Sequence, residues 1–203
     1  ATHGSGNANG NLATQVVGLK LVTASGDTVS FVQGQPGFDG AVVSLGALGI
    51  VTEVTLRIVP SFAVRQNLFM DLPVQTLIDN FDAITGAAYS VSCFTAWRGD
   101  SIDHVWLKNL AGAPIPGHEF FGAQAASRPY HPITALDPTP CTAQMGVPGP
   151  WYLRLPHFRM EFQPSAGAEL QTEYFVPRAQ APAAVTALRT IQDRIAPHLM
   201  ISE

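Results

Sequence analysis

The run Ile50-Val51-Thr52-Glu53-Val54-Thr55-Leu56-Arg57-Ile58-Val59 alternates apolar with polar residues and stops at Pro60. A period of two sends successive side chains to opposite faces, so the run reads as a half-buried strand. Pro60 has no N–H for a ladder and closes it. The same texture recurs on either side. Residues 15–32 hold two β-rich runs around Ala24-Ser25-Gly26-Asp27, the pattern of a hairpin. Val64 to Met70, Tyr89 to Trp97 and Ile102 to Asn109 read as strands. Arg159 to Gln163 and Glu169 to Val176 are strand-like, and His198 to Glu203 reads as the start of another. Helical spacing is rarer. Pro73 opens a stripe of Leu77, Ile78, Phe81 and Ile84, and Pro182 opens one through Ala184, Val185, Leu188, Ile191 and Ile195. Ala41 to Leu48 reads as a short helix, with Gly49 suited to its C-cap. Residues 111–150 are rich in Pro, Gly and Ala and carry little periodicity, which predicts a functional or covering segment. The fold class is therefore α+β, with a change of texture at Pro60. Residues 61–203 suit an antiparallel sheet with helices on one face.

Charge narrows the function. Hydrophobic residues make up 46% of the 203 and charged residues 13%, which marks a globular chain with much of its surface covered by something else. The net charge is −4 and Lys20 and Lys108 are the only lysines, so no nucleic-acid footprint is expected. No apolar stretch reaches the ~18 residues of a membrane span, and no signal peptide is evident. Cys93 and Cys141 lie far apart without ligand spacing, which predicts free thiols and a cytoplasmic setting. The chain starts and stops inside patterned sequence and is expected to be the middle of a longer protein.

Several constellations fail. His3-Gly4-Ser5-Gly6 is like an esterase oxyanion loop, but no G-x-S-x-G nucleophile pentad accompanies it. Gly46-Ala47-Leu48-Gly49 is half a dinucleotide fingerprint and precedes a strand instead of following one. His157 and Glu161 are four apart, but Pro156 and the strand-like neighbours oppose a helix that would aim both at a metal. The Gly- and Asn-rich opening, residues 1–12, remains as a loop whose backbone N–H groups are free to close on an anion such as a phosphate.

Three sets of residues carry a family resemblance. The first is Ala1-Thr2-His3-Gly4-Ser5-Gly6 with Gly10-Asn11-Leu12-Ala13-Thr14. The second is Gly40-Ala41-Val42-Val43-Ser44-Leu45-Gly46-Ala47-Leu48-Gly49-Ile50-Val51-Thr52. The third comprises Tyr89 to Ser92, Gly146 to Trp151, Leu155-Pro156-His157-Phe158-Arg159 and Glu173 to Arg178. In this order they resemble the vanillyl-alcohol-oxidase-type flavoproteins, in their alditol (xylitol) oxidase and aldonolactone oxidase branch.

The resemblance implies that residues 1–60 are the second half of an FAD-binding domain. Residues 61–203 would be a substrate-binding (cap) domain, truncated at its C-terminus. It places Ala1, Thr2, His3 and Gly4 against the flavin and Val51 at the adenine end of FAD. It gives Glu203 a catalytic place over the flavin, binding polyol hydroxyls together with an Arg two residues further on. The His that links covalently to FAD would precede Ala1. The implied reaction oxidises the terminal alcohol of a polyol such as xylitol or sorbitol with O2, giving an aldose and H2O2. The isolated chain is expected to be inactive. An aldonolactone oxidase or dehydrogenase and a non-catalytic β-rich binding module are the alternatives, and oligomeric state is not implied.

Overall fold

The structure, a computed structural model, describes residues 6–114, 117–162 and 169–203. The chain divides into two units, Ala1–Pro60 and Ser61–Glu203.

In the first unit Asn11 caps a 3-10 turn over Leu12–Gln15, its side chain accepting from the Thr14 N–H at 3.3 Å. Strand β1 (Val16–Val22) pairs antiparallel with β2 (Thr28–Val32) through a turn in which Gly26 takes φ 87°. Helix α1 (Phe38–Val42) follows, then β3 (Ile50–Leu56) on the other side of β1. The sheet order is β2-β1-β3. Its core is Val16, Leu19, Phe38 and Ala41, with Phe31 and Val42 packed beside them.

Two expectations change here. The helix ends at Val42, and Gly49 caps nothing. It sits at φ 142°, where a Cβ would overlap the Val22 carbonyl oxygen. This close approach of β3 to β1 explains the glycine. Strand β3 is not half buried either: all seven of its residues are exposed within this unit. The unit places α1 against β1 and β2, so the edge strand β3 receives no cover from it.

The second unit is built on an antiparallel sheet. Strand β4 (Ala63–Pro73) runs directly into α2 (Val74–Asp79), α3 (Phe81–Thr85) and β5 (Ser90–Phe94), and then β6 (Ser101–Leu110). The short pairs β7 (Glu119–Phe120), β8 (Ala123–Ala125) and β9 (Gly149–Pro150) follow, with sheet order β5-β6-β4-β8-β7 and β9 on β4. Helices α4 (Ala181–Thr190) and α5 (Gln192–Ile195) come last. The single helix expected after Pro73 splits at Asn80, whose side chain donates to the Thr76 carbonyl at 3.0 Å. Such local bonding competes with the helical ladder. Arg159 to Phe162 and Glu169 to Val176 form no strand, and Gln163 lies outside the described residues. Pro177 ends this stretch, and proline has no N–H for a ladder.

Alternation along β4, β5 and β6 sorts the sheet into two faces. One carries Phe69, Leu72, Val105 and Leu107 against Val74, Leu77 and Ile84 of the helices, with Val91, Cys93 and Val185 alongside. The other holds Leu68, Phe94 and Trp106 against Cys141, Tyr130 and Phe158 of the irregular segment. Arg178, just before α4, pairs with Asp82 at 2.6 Å, and Arg189 of α4 reaches Asp100 at 2.7 Å. Both pairs are exposed and worth little on their own.

Two consequences are testable. Gly49→Ala should destabilise the first unit by more than about 1 kcal/mol, since a side chain at this φ is strained and collides. Gly40→Ala, inside α1 with open space around it, should be neutral or stabilising by up to about 1 kcal/mol. Urea unfolding of both variants checks the contrast. Burial pushes the Cys93 thiol to about 12, with Glu203 adding to the rise, and pushes Cys141 to about 11. Neither should titrate with a thiol reagent at pH 8 until denaturant is added, because the thiolate is the reactive form.

Candidate active site

The second face of the sheet contains the chain's concentration of buried polar side chains. Gln66 on β4, Lys108 on β6 and Ser90 on β5 are in register, and all three are buried. Lys108 is 1% exposed, an unusual place for an ammonium group. Its Nζ donates to the Leu155 carbonyl and lies 3.1 Å from His157 Nδ1. Burial pulls its pKa from the usual 10.5 down to about 7, against the opposing pull of the Glu203 carboxylate and then of Cys141.

His157 belongs to the irregular segment, and four bonds place it. Thr142 Oγ1 donates to the Pro156 carbonyl at 2.6 Å, and the Thr142 N–H donates to the His157 carbonyl at 2.9 Å. The Arg159 N–H donates to Pro140 at 2.9 Å, and Arg159 Nε donates to Cys141 at 3.0 Å. The ring stands edge-on to Phe94 and Trp106, each with centroids 5.3 Å away. Its Nε2 faces Ser92 Oγ at 3.5 Å and Glu203 Oε1 at 3.3 Å.

Glu203 reaches this cluster through a two-bond antiparallel pair. The Thr95 N–H donates to the Ser202 carbonyl at 2.9 Å, and the Ser202 N–H returns to Thr95 at 2.9 Å. This pairing sets Glu203 beside Phe94, on the face shared with Ser92. Its side chain remains 45% exposed. Burial raises the carboxyl pKa, but the hydrogen bond from His157, then that of Ser92 and the charge of the nearby Lys108, outweigh it and hold the group at about 2. Ser92 and Glu203 also line a cavity of about 270 Å³, whose remaining wall includes Leu77, Phe81, Cys93 and Val185. The assembly is an ionised, half-exposed carboxylate backed by a buried cation, suited to accepting hydrogen bonds from hydroxyl groups.

The residues expected from sequence are distributed unevenly. Glu203 is gathered with Ser92, Lys108 and His157. Val51 lies in the first unit on β3, and no strand among the described residues pairs with that strand's far edge. Open backbone groups beside a partly exposed Val51 have the chemistry to receive an adenine edge. Ala1, Thr2, His3 and Gly4 lie outside the described residues. Sequence reasoning gave Ser92 and Lys108 no place in a site and weighed His157 only as a metal ligand with Glu161. Lys108 carried a signal, being one of two lysines and sitting inside an apolar strand. Among the described residues no group of His, Cys, Asp and Glu is arranged to hold a metal ion. No described helix is long and apolar enough to cross a membrane.

Comparison with known proteins gives a consistent picture. No protein-family model matches the chain. It is 48% identical over 202 residues to an alditol oxidase of a Streptomyces species, covering 100% of the chain and 48% of that protein. It therefore spans about half the length of that relative. An L-gulono-1,4-lactone dehydrogenase of Mycobacterium tuberculosis is 45% identical over 67 residues, 33% of the chain and 15% of that protein. An L-gulonolactone oxidase of Bos taurus is 38% identical over 84 residues, 40% of the chain and 19% of that protein. Among solved structures a cholesterol oxidase from Brevibacterium sterolicum aligns with TM-score 0.45 and 19% identity, covering 60% of this chain and 23% of that one. Along its whole length the chain is similar to an alditol oxidase, and over shorter stretches to lactone dehydrogenases and oxidases.

Proposed function

We propose that this chain is part of an FAD-dependent oxidase that converts the terminal alcohol of a polyol, such as xylitol or sorbitol, to the aldehyde. The observation that carries the reading is its whole-length similarity to an alditol oxidase. Residues 1–60 form the second half of the FAD-binding domain on this reading, and 61–203 the substrate domain. Bound FAD supplies the hydride acceptor, with O2 as the final oxidant and hydrogen peroxide as a product.

The residues of this chain bind and orient. Ala1, Thr2, His3 and Gly4 would hold the flavin, and Val51 would hold the adenine end. Glu203 accepts hydrogen bonds from the polyol. Its pKa of about 2 leaves it an acceptor at every physiological pH, and the hydroxyls of a polyol are donors. Holding the reacting carbon in one place turns a bimolecular encounter into an oriented step, which is where most of the catalytic gain lies. The shorter matches to lactone enzymes support a second reading, an aldonolactone oxidase on the same scaffold.

The intact protein should be yellow when purified and should release peroxide on xylitol or sorbitol. Release on sugar lactones alone would select the second reading, and a colourless protein that rejects added FAD would sink both. Glu203→Gln in the intact protein should lower kcat/KM for the polyol by about 10- to 100-fold, the range for losing a hydrogen bond to a charged group.

A further inference from the structure

The Lys108–His157–Glu203 string has a direction that can be worked out from its atoms. As an ammonium, Lys108 Nζ carries three N–H groups and no acceptor, so every hydrogen bond it makes is one it donates. One is spent on the Leu155 carbonyl and one faces His157 Nδ1 at 3.1 Å. A nitrogen that receives an N–H is the unprotonated nitrogen of a neutral imidazole, so the ring proton sits on Nε2. That proton points at Glu203 Oε1, 3.3 Å away, with the Ser92 hydroxyl bonded to the same carboxylate. Phe94 and Trp106 hold the ring edge-on, so it has little freedom to turn.

We propose that Lys108 and His157 are positioning residues for the substrate carboxylate: the buried lysine fixes the Nε2–H tautomer of His157, and that N–H aims and ionises Glu203. The inference deepens the oxidase reading and rests on it for the identity of the substrate. It uses no chemistry of the flavin. The titratable and polar neighbours are few. Lys108 is faced by His157 and Cys141 from the irregular segment, by Glu203, and in register by Gln66 and Ser90. Glu203 is faced by His157, Ser92 and Lys108, and it acts in turn on Cys93. His104, on the same face of β6, is engaged with Thr134 at 3.0 Å.

The sign is set by the charges. Removing a donor or a cation from an ionised carboxyl disfavours its charged form, so the pKa rises, by about 1–3 units for a close charge. The test uses the intact, flavin-loaded protein with 13C-labelled glutamate, and Glu203→Gln assigns the Glu203 carboxyl signal. In the unmodified protein that signal should stay ionised down to pH 4. In Lys108→Met and in His157→Leu its midpoint should rise by about 1–3 units. His157→Gln, which keeps an N–H donor near the Nε2 position, should titrate closer to the unmodified protein. The acid limb of kcat/KM should move upward with the carboxyl midpoint in the same variants. A loss of packing alone would lower kcat/KM by a similar factor at every pH.

An unmoved Glu203 midpoint in His157→Leu overturns the proposal, whatever the enzyme oxidises. The His157 variants keep the test open if Lys108→Met fails to fold, because that side chain is 26% exposed and tolerates replacement better. A shifted midpoint in a protein that does not oxidise polyols would support the string while removing the substrate reading.

Discussion

An ammonium group taken out of water forfeits several kcal/mol of hydration unless partners replace it. Lys108 sits in the central strand β6 with 1% of its surface exposed, and its needs explain much of the second unit. It requires a carbonyl, which Leu155 supplies, and a further acceptor, which is the His157 ring. It also requires an opposite charge nearby, and Glu203 is that charge. None of these three lies on the sheet's continuous strands. The irregular segment must be pinned at Pro156 and His157 by Thr142, and the last residues must dock on Thr95. The buried lysine thus draws its partners from two stretches outside the sheet's continuous strands.

Two faces of one sheet divide the labour. Val91 and Cys93 of β5, with Val105 and Leu107 of β6, meet the helices and form an apolar core. The intervening residues Ser90, Ser92, Trp106 and Lys108 carry the polar cluster. Burial of large apolar side chains on the first face stabilises the strands by about 1.5–3 kcal/mol each. That stability holds the second face rigid enough for a directed hydrogen-bond string, which loops alone would hold less well. Gln66 illustrates the demand: it is fully buried, and neither amide atom has a hydrogen-bond partner among the described residues.

What could be read from the sequence follows the range of the interactions. Strand-like runs read at 15–32, 64–70 and 102–109 fall on observed strands, the last two reaching a little further at 63–73 and 101–110, because strand patterning is a local signal. The α+β class followed from the same count of runs. Gly49 was noticed for the wrong reason, since a C-cap is local whereas its true contact, the Val22 carbonyl, is 27 positions away. The exposure of β3 was illegible because alternation reports which side chains share a face, not whether anything covers it. Glu203 was reached through family resemblance, not through spacing. Ser92, Lys108 and His157 are scattered over the sequence, and each alone reads as an ordinary strand or loop residue. Their meeting depends on the β5–β6 register and on the staple between residues 140–142 and 156–159, both of them tertiary facts.

The interposed imidazole also explains why the cation does not simply pair with the carboxylate. A direct ammonium–carboxylate contact would occupy oxygen atoms that the proposed role of Glu203 leaves for incoming hydroxyl groups. With His157 between them, the cation stays buried while the carboxylate keeps 45% of its side chain exposed. The engagement from inside reaches Oε1 through one ring N–H, with one hydroxyl from Ser92 beside it. An ionised carboxylate has about four acceptor sites, so capacity remains for incoming hydroxyl groups. The donors that reach this carboxylate among the described residues are the His157 ring and the Ser92 hydroxyl, which suits the hydroxyl-binding role proposed for it.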